Sequence, residues 1–212
     1  MYKAIVFDVD GTAVDTRFIM DAVRDAYRDV RHEEIDEAIC DVMYGSPASH
    51  AQRLMGLDDA EYAVYGEYFM RYLPFYLPKQ KLFDGIRDCM EQCRKLGLIV
   101  AINTSRTVEG ALEASRSLDW DFAAFCDYVI GCDLVEHPKP APDSLQYLGK
   151  LCGIGMDEIL FVGDTEFDSG CAANAGVDFA VATWGCKIHL AATYYPKHPL
   201  ELVEIVKRKN KI

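Results

Sequence analysis

The feature that most constrains the fold is a series of short apolar runs, each of which ends at acidic, amide, glycine or hydroxyl residues. A run without polar alternation is typical of a strand that is buried on both faces, as in a parallel sheet. The runs that precede polar clusters are Ala4–Phe7, Leu98–Ile102 and Ile159–Val162, and two others lie at Tyr128–Ile130 and Phe179–Ala182.

Segments with helical spacing separate these runs. They are predicted at Gly85–Leu96, Val108–Ser117, Pro142–Leu151, Asp168–Ala175 and Leu200–Lys209. Strands that alternate with helices predict a parallel sheet with right-handed crossovers. We therefore expect an α/β fold with a Rossmann-like parallel sheet flanked by helices.

One long stretch, residues 14–81, interrupts this alternation. Its apolar residues recur at helical spacing, as at Ile19, Val23, Tyr27 and Val30, and no buried strand is predicted in it. We predict that residues 14–81 form an all-helical cap inserted into a catalytic core of residues 1–13 and 82–212. An insertion directly after the first strand would hang over the carboxyl end of the sheet, where α/β folds bind ligands.

Composition limits the possible partners. The 212 residues carry a formal net charge of −12, which argues against nucleic acid or anionic membrane partners. The eight cysteines are scattered without a CxxC pair, which favours free thiols. No apolar run approaches the roughly 20 residues of a membrane helix. The sequence starts directly into a predicted strand, without a signal peptide pattern, so we expect a cytoplasmic protein. The oligomeric state is not indicated.

Polar side chains at the strand ends suggest a reaction. Two carboxylates at about 4 Å repel by roughly 4 kcal/mol at an effective dielectric near 20, so a cluster of Asp8, Asp10 and Asp164 requires a cation. Oxygen ligands without histidine or cysteine favour Mg²⁺ over zinc. Lys139 can offset the charge of an anionic substrate, and the Thr104 hydroxyl can bond a phosphoryl oxygen. These residues together indicate phosphate chemistry.

The same residues lie in four segments that resemble the motifs of the haloacid dehalogenase superfamily of phosphatases. Nearly the whole chain is covered, and the phosphoglycolate-phosphatase-like branch with a helical cap is the most similar. Asp84 stands where that branch often has proline, a difference that affects a hinge. The four segments are Phe7–Thr12, Ile102–Arg106, Pro138–Asp143 and Val162–Asp168.

The resemblance implies the catalytic roles. Asp8 attacks phosphorus and forms an aspartyl phosphate, while Asp10 protonates the leaving alkoxide and then activates water. Asp8, the backbone carbonyl of Asp10 and Asp164 bind Mg²⁺, and Asp168 contacts these ligands rather than the ion itself.

The resemblance also implies how the substrate, a small phosphorylated metabolite, is bound. Thr104, Ser105 and Lys139 hold the phosphoryl group. The segment Tyr44–Pro47 is similar to the cap loop that reaches into the site in this family. Arg17 and Arg53 are candidate cations for the organic part of the substrate.

Three other functions are partly compatible with these residues. Dehalogenase chemistry lacks the second aspartate, so Asp10 argues against it. A sugar-phosphate mutase of the β-phosphoglucomutase type would share every core residue and stays open. A catalytically inactive binding protein conflicts with an intact set of acidic residues and Lys139. The physiological substrate is not indicated by the sequence.

Overall fold

The computed structural model describes residues 1–46, 48–186 and 188–212. The chain divides into two compact units, which are described separately. The first comprises Met1–Val14 and Leu82–Ile212, and the second comprises Asp15–Lys81.

The elements are numbered in chain order within the described residues. The strands are β1 Ala4–Phe7, β2 Val14–Asp15, β3 Lys81–Leu82, β4 Ile99–Asn103, β5 Tyr128–Ile130, β6 Ile159–Gly163 and β7 Asp178–Val181. The helices are α1 Ile19–Arg31, α2 Glu37–Met43, α3 Ala48–Met55, α4 Asp59–Tyr76, α5 Ile86–Lys95, α6 Val108–Arg116, α7 Phe122–Phe125, α8 Asp143–Cys152, α9 Glu166–Ala175 and α10 Leu200–Asn210.

The first unit is built on a sheet of parallel strands in the order β5-β4-β1-β6-β7. The central strand β1 is in register with both neighbours, so Phe7 lies opposite Ile102 of β4 and Val162 of β6. The residues that follow these three strands therefore emerge side by side at the carboxyl edge. The predicted fold class is confirmed.

Helices cover both faces of the sheet, which explains the uninterrupted apolar run of β1. Ile5 and Phe7 pack in one apolar cluster with Met90 of α5 and Leu202 of α10. Ala4 and Val6 point to the opposite cluster, which contains residues of α8 and α9. Because successive side chains of a strand point to opposite faces, only a strand buried on both sides needs no polar alternation.

The second unit consists of α1 to α4 around a separate apolar cluster that includes Val23, Tyr27 and Tyr65. Helix α4 continues through Pro74 to Tyr76. The Tyr72 and Tyr76 hydroxyls donate to carboxylates of α1, which attaches the end of α4 to its neighbour.

The expectation of a purely helical segment from residue 14 needs one correction. Val14–Asp15 forms β2, which pairs with β3 at Lys81–Leu82. Strands of two residues are too short to show a period of two in the sequence, and only the pairing of distant segments defines them.

Two further predictions concern the whole chain. The eight cysteines are free thiols, as predicted. Among the described helices, none combines the length and the apolar character that crossing a membrane requires.

Candidate active site

Asp8 is the first residue after the central strand, and its side chain is buried. Its backbone N–H continues the ladder by donating to the Val162 carbonyl at 2.9 Å. Its carboxylate Oδ1 accepts a hydrogen bond from Lys139 Nζ at 2.7 Å. Burial raises the pKa of Asp8 to about 7, although the Lys139 charge acts to lower it. The sheet therefore fixes a desolvated carboxylate beside a cation.

Lys139 makes three bonds with its ammonium group, which is as buried as Asp8. Besides Asp8, it donates to Asp168 Oδ1 at 2.6 Å and to the Asn103 carbonyl at 3.3 Å. Burial alone would lower the pKa of Lys139, but the charges of Asp168 and Asp8 outweigh it and raise the pKa above its usual range. Lys139 is thus held as a cation that donates to both Asp8 and Asp168.

Three carboxylates converge around this cation. One oxygen each from Asp8, Asp164 and Asp168 lies within 4.8 Å of the others, and all three side chains are buried. Burial and the neighbouring charges of Asp8 and Asp168 raise the pKa of Asp164 well above its usual range. The Thr12 hydroxyl partly offsets this effect by donating to Asp164 Oδ1 at 2.9 Å.

Asp168 is fixed by the start of α9. Its Oδ2 accepts from the Thr165 hydroxyl at 2.6 Å and from the Thr165 N–H at 3.0 Å. Thr165 in turn accepts from the Asp168 N–H, which completes a capping box at the helix N-terminus. The Asp168 carboxylate is therefore held with Oδ1 toward Lys139 and Oδ2 toward the helix cap.

The residues present fit a divalent cation. When Asp8, Asp164 and Asp168 are all ionised they carry three negative charges, and Lys139 supplies one positive charge, so two negative charges are left for a cation to balance. The three oxygens lie within 4.8 Å of one another, and an oxygen-binding divalent cation takes ligands at about 2.0–2.6 Å, so a cation can lie within this group. Among the described residues no histidine or cysteine belongs to this group, which favours a hard cation.

The Asp10 carboxylate is not one of the three grouped carboxylates, but its charge helps to raise the pKa of Asp8. Arg106 donates to both of its carboxylate oxygens, from Nε at 2.7 Å and from Nη2 at 2.7 Å. The turn between the two aspartates and the following segment uses Gly11 at a φ of 76°, a conformation that glycine adopts without strain. The sequence assigns no role to Arg106, because its partner lies 96 residues away.

The predicted phosphate ligands after β4 lie at the same edge of the sheet. Thr104 is buried, and its N–H donates to the Ile130 carbonyl at 3.0 Å. Its hydroxyl oxygen accepts from the Arg106 N–H at 3.2 Å. Ser105 follows in the same turn and is half-buried. Thr104 and Ser105 thus directly follow β4, the strand that pairs with β1, which precedes Asp8.

The predicted cap loop belongs to the second unit, and its Pro47 lies outside the described residues. The Tyr44 hydroxyl is 2.9 Å from the Thr16 hydroxyl, and the Arg17 guanidinium lies 5.8 Å from the Tyr44 ring centroid. Arg53 contacts His50 at 3.5 Å. These contacts place Tyr44 and Arg17 together.

Residues 5–182 match the model of the haloacid dehalogenase-like hydrolase family. The chain belongs to this family. The match extends from β1 to the end of β7 and includes all four predicted motifs.

Named relatives are similar over almost their full length. The chain is 28% identical to the N-acetylmuramic acid 6-phosphate phosphatase of Pseudomonas aeruginosa, across 97% of this chain and 95% of that protein. It is 28% identical to a phosphoglycolate phosphatase of Xanthomonas campestris, across 88% and 85% respectively. A haloacid dehalogenase-like hydrolase structure from Streptococcus pneumoniae superposes with a TM-score of 0.81 at 21% identity, covering 97% and 98% of the two chains, which shows the shared fold.

The family match and these phosphatase relatives confirm two predictions: membership of the superfamily, and an enzyme of the phosphoric monoester hydrolase class. They leave the roles of individual residues as predictions.

Proposed function

We propose that this enzyme hydrolyses the phosphate ester of a small metabolite in two steps through a phosphorylated Asp8, and that it requires Mg²⁺. The observation that carries the proposal is the position of the Asp8 carboxylate. It is buried at the end of the central strand, bonded to Lys139, and shares a cluster with Asp164 and Asp168.

In the first step Asp8 attacks phosphorus. A bond forms between an Asp8 oxygen and phosphorus, and the bond to the ester oxygen breaks. Lys139 lowers the repulsion between the carboxylate and the anionic phosphoryl group, while Thr104 and Ser105 donate hydrogen bonds to phosphoryl oxygens. Asp10 gives its proton to the leaving alkoxide, which departs as an alcohol.

In the second step Asp10 takes a proton from water, and the water oxygen attacks phosphorus. The bond to Asp8 breaks, and inorganic phosphate and the free carboxylate are regenerated. Asp8, the carbonyl of Asp10 and Asp164 would hold Mg²⁺, while Asp168 accepts a hydrogen bond from Lys139. When bound, this ion supplies positive charge that offsets the charge of the phosphoryl group.

The relatives suggest a substrate class. Phosphoglycolate and N-acetylmuramic acid 6-phosphate are both phosphate esters of a primary alcohol, and both also carry a carboxylate. We propose a substrate of this type for this chain. The insertion at residues 15–81 would serve as the cap that selects it, with the Tyr44–Pro47 loop and either Arg17 or Arg53 as contacts to the organic part.

The test is acid-quench trapping of the phosphoenzyme. Wild type mixed with ³²P-labelled substrate and Mg²⁺ should give an acid-stable label that chases with unlabelled substrate. Asp8→Asn, which is nearly isosteric, should give no label and no release of phosphate. Asp88→Asn, at an exposed aspartate on α5, is the matched control and should behave as wild type.

Two results would contradict the proposal. Asp8→Asn with more than a few per cent of wild-type turnover would rule out Asp8 as the nucleophile. Isomerised sugar phosphate without release of inorganic phosphate would identify a mutase instead.

A further inference from the structure

The Asp10–Arg106 ion pair is the part of the site for which the proposed reaction has no explanation. Two parallel N–H···O bonds, both 2.7 Å long, join the guanidinium to the carboxylate. The arginine side chain is 25% exposed and the aspartate 18%. A planar guanidinium fixes the plane of a carboxylate as well as its position, which a lysine ammonium cannot do. The pair therefore determines where the Asp10 oxygens point.

The backbone that carries Arg106 is itself held in place by the segment after β5. The Cys132 N–H donates to the Arg106 carbonyl at 2.9 Å, and the Val108 N–H donates to Asp133 Oδ1 at 2.9 Å. The Arg106 N–H bonds the Thr104 hydroxyl. Hydrogen bonds thus hold the Arg106 backbone in place from two sides, and this fixes the point from which its side chain extends.

Close packing strengthens this attachment. A Cβ on Gly131 would overlap the backbone of Thr107 and Val108, so the two loops approach to a distance that only glycine permits. The turn that carries Asp10 is braced in a similar way. The Trp184 indole N–H donates to the Thr12 carbonyl at 2.9 Å, and a Cβ on Gly185 would collide with the Gly11 carbonyl.

We propose that Arg106 is the positioning residue that orients the Asp10 carboxyl group toward the ester oxygen of the substrate. This inference rests on the proposed function, in which Asp10 transfers the proton to the leaving group. An arginine with this role affects the cleavage of esters whose alcohol is a poor leaving group. It has little effect on phosphoryl transfer from acetyl phosphate, because acetate departs without a proton.

An alternative role for Arg106 is direct binding of the phosphoryl group. A double-mutant cycle separates the two roles, since residues that act through one another have non-additive effects. The cycle comprises Arg106→Met, Asp10→Asn and the double variant of the full-length enzyme with Mg²⁺. Arg116→Met is the matched control, because Arg116 pairs with Glu109 on an exposed face of α6.

The assay measures kcat/KM for the best alkyl phosphate among phosphoglycolate, glucose 6-phosphate and N-acetylmuramic acid 6-phosphate. It also measures the burst of Asp8 phosphorylation from acetyl phosphate. Arg106→Met should lower kcat/KM for the alkyl phosphate about 100-fold, the effect of misplacing a reacting group by roughly 1 Å. The double variant should equal Asp10→Asn within about threefold, and every variant should keep the acetyl phosphate burst within about threefold. Arg106→Lys keeps the positive charge but cannot form the two parallel hydrogen bonds of a guanidinium. Its kcat/KM for the alkyl phosphate should therefore fall nearly as much as that of Arg106→Met.

Each contrary result has a distinct meaning. The effects of the two single variants on kcat/KM could multiply in the double variant, or the acetyl phosphate burst could fall together with the alkyl phosphate rate. Either result would show that Arg106 binds the phosphoryl group, and it would overturn this inference while leaving the proposed function intact. Full activity of Arg106→Lys would show that charge suffices and would also overturn it. If Asp10→Asn hydrolyses the alkyl phosphate at the wild-type rate, both the proton-transfer role of Asp10 and this inference fail.

Discussion

Replacing Lys139 with methionine tests whether this ammonium stabilises the buried acidic group. Methionine keeps most of the volume and removes the charge that bonds Asp8 at 2.7 Å and Asp168 at 2.6 Å. At an effective dielectric of 20 each pair contributes about 6 kcal/mol of attraction before the cost of desolvation. Removing one partner of a buried pair typically costs about 3–5 kcal/mol, because the remaining charge stays buried without compensation.

The measurement is urea and thermal unfolding in EDTA at pH 8, above the pKa of about 7 for Asp8. A loss of 3–5 kcal/mol corresponds to a fall in Tm of about 6–20 °C for a chain of this length. Lys3→Met is the matched control, since Lys3 pairs with Glu158 at 2.9 Å while half exposed, and such a pair contributes at most about 1 kcal/mol.

Mg²⁺ should stabilise the Lys139→Met variant more than the wild type, because the bound ion replaces the positive charge that the substitution removes. Binding at 100 times the dissociation constant adds about 2.7 kcal/mol. A Lys139→Met variant no less stable than the Lys3→Met control would refute the reasoning. In that case one of the carboxyl groups is protonated in the folded enzyme and Lys139 is not its counter-charge.

Four further predictions follow from the same structure. EDTA should abolish turnover, and Mg²⁺ should restore it while Ca²⁺ should not, because the larger ion takes more ligands at longer distances; full activity in excess EDTA would rule out the metal. Thr165→Val should lower the free energy of unfolding by about 1–2 kcal/mol through loss of the α9 cap, as measured by urea unfolding, with an unchanged midpoint contradicting it. Burial acts to raise the pKa of Asp178, but the hydrogen bonds from Tyr2 and Lys209 and the Lys209 charge together hold that pKa below its usual range. The destabilisation by Asp178→Asn should therefore be largest at neutral pH and shrink as the pH falls below about 4; a constant difference across pH would disprove this. Ser46→Trp should change the ratio of kcat/KM between two substrates tenfold or more, about 1.4 kcal/mol, whereas an equal change for both would exclude the loop as a selector.

Local patterns in the sequence predict most of the fold because the buried strands and long helices have their own periodicity. β5 has the predicted bounds, and β6 differs from its prediction by one residue. α7 was not predicted because four residues span barely one helical turn. α4 continues through the unfavourable Pro74 because the helix packs on α1 and the Tyr76 hydroxyl donates to Asp25 of α1.

The candidate site was predicted where a residue directly follows a strand, as for Asp8 and Asp164, because parallel strands bring their carboxyl ends to one edge. The pairing of Arg106 with Asp10 could not be predicted in this way. It depends on the side-chain direction of a loop residue, which no local spacing encodes. The place of Asp168 within the acidic group likewise depends on the first turn of α9, which orients the carboxylate toward Lys139.

The position of the insertion has an evolutionary consequence. Residues 15–81 enter the chain after β1 is complete and leave it before α5 begins, so they interrupt none of the strands that carry Asp8, Thr104 and Asp164. Mutations that accumulate in the insertion leave the hydrogen bonds between β1, β4 and β6 unchanged. If the insertion selects the metabolite, as proposed, selection can change the preferred metabolite while it conserves the phosphate chemistry, and the two properties can evolve at different rates within one polypeptide.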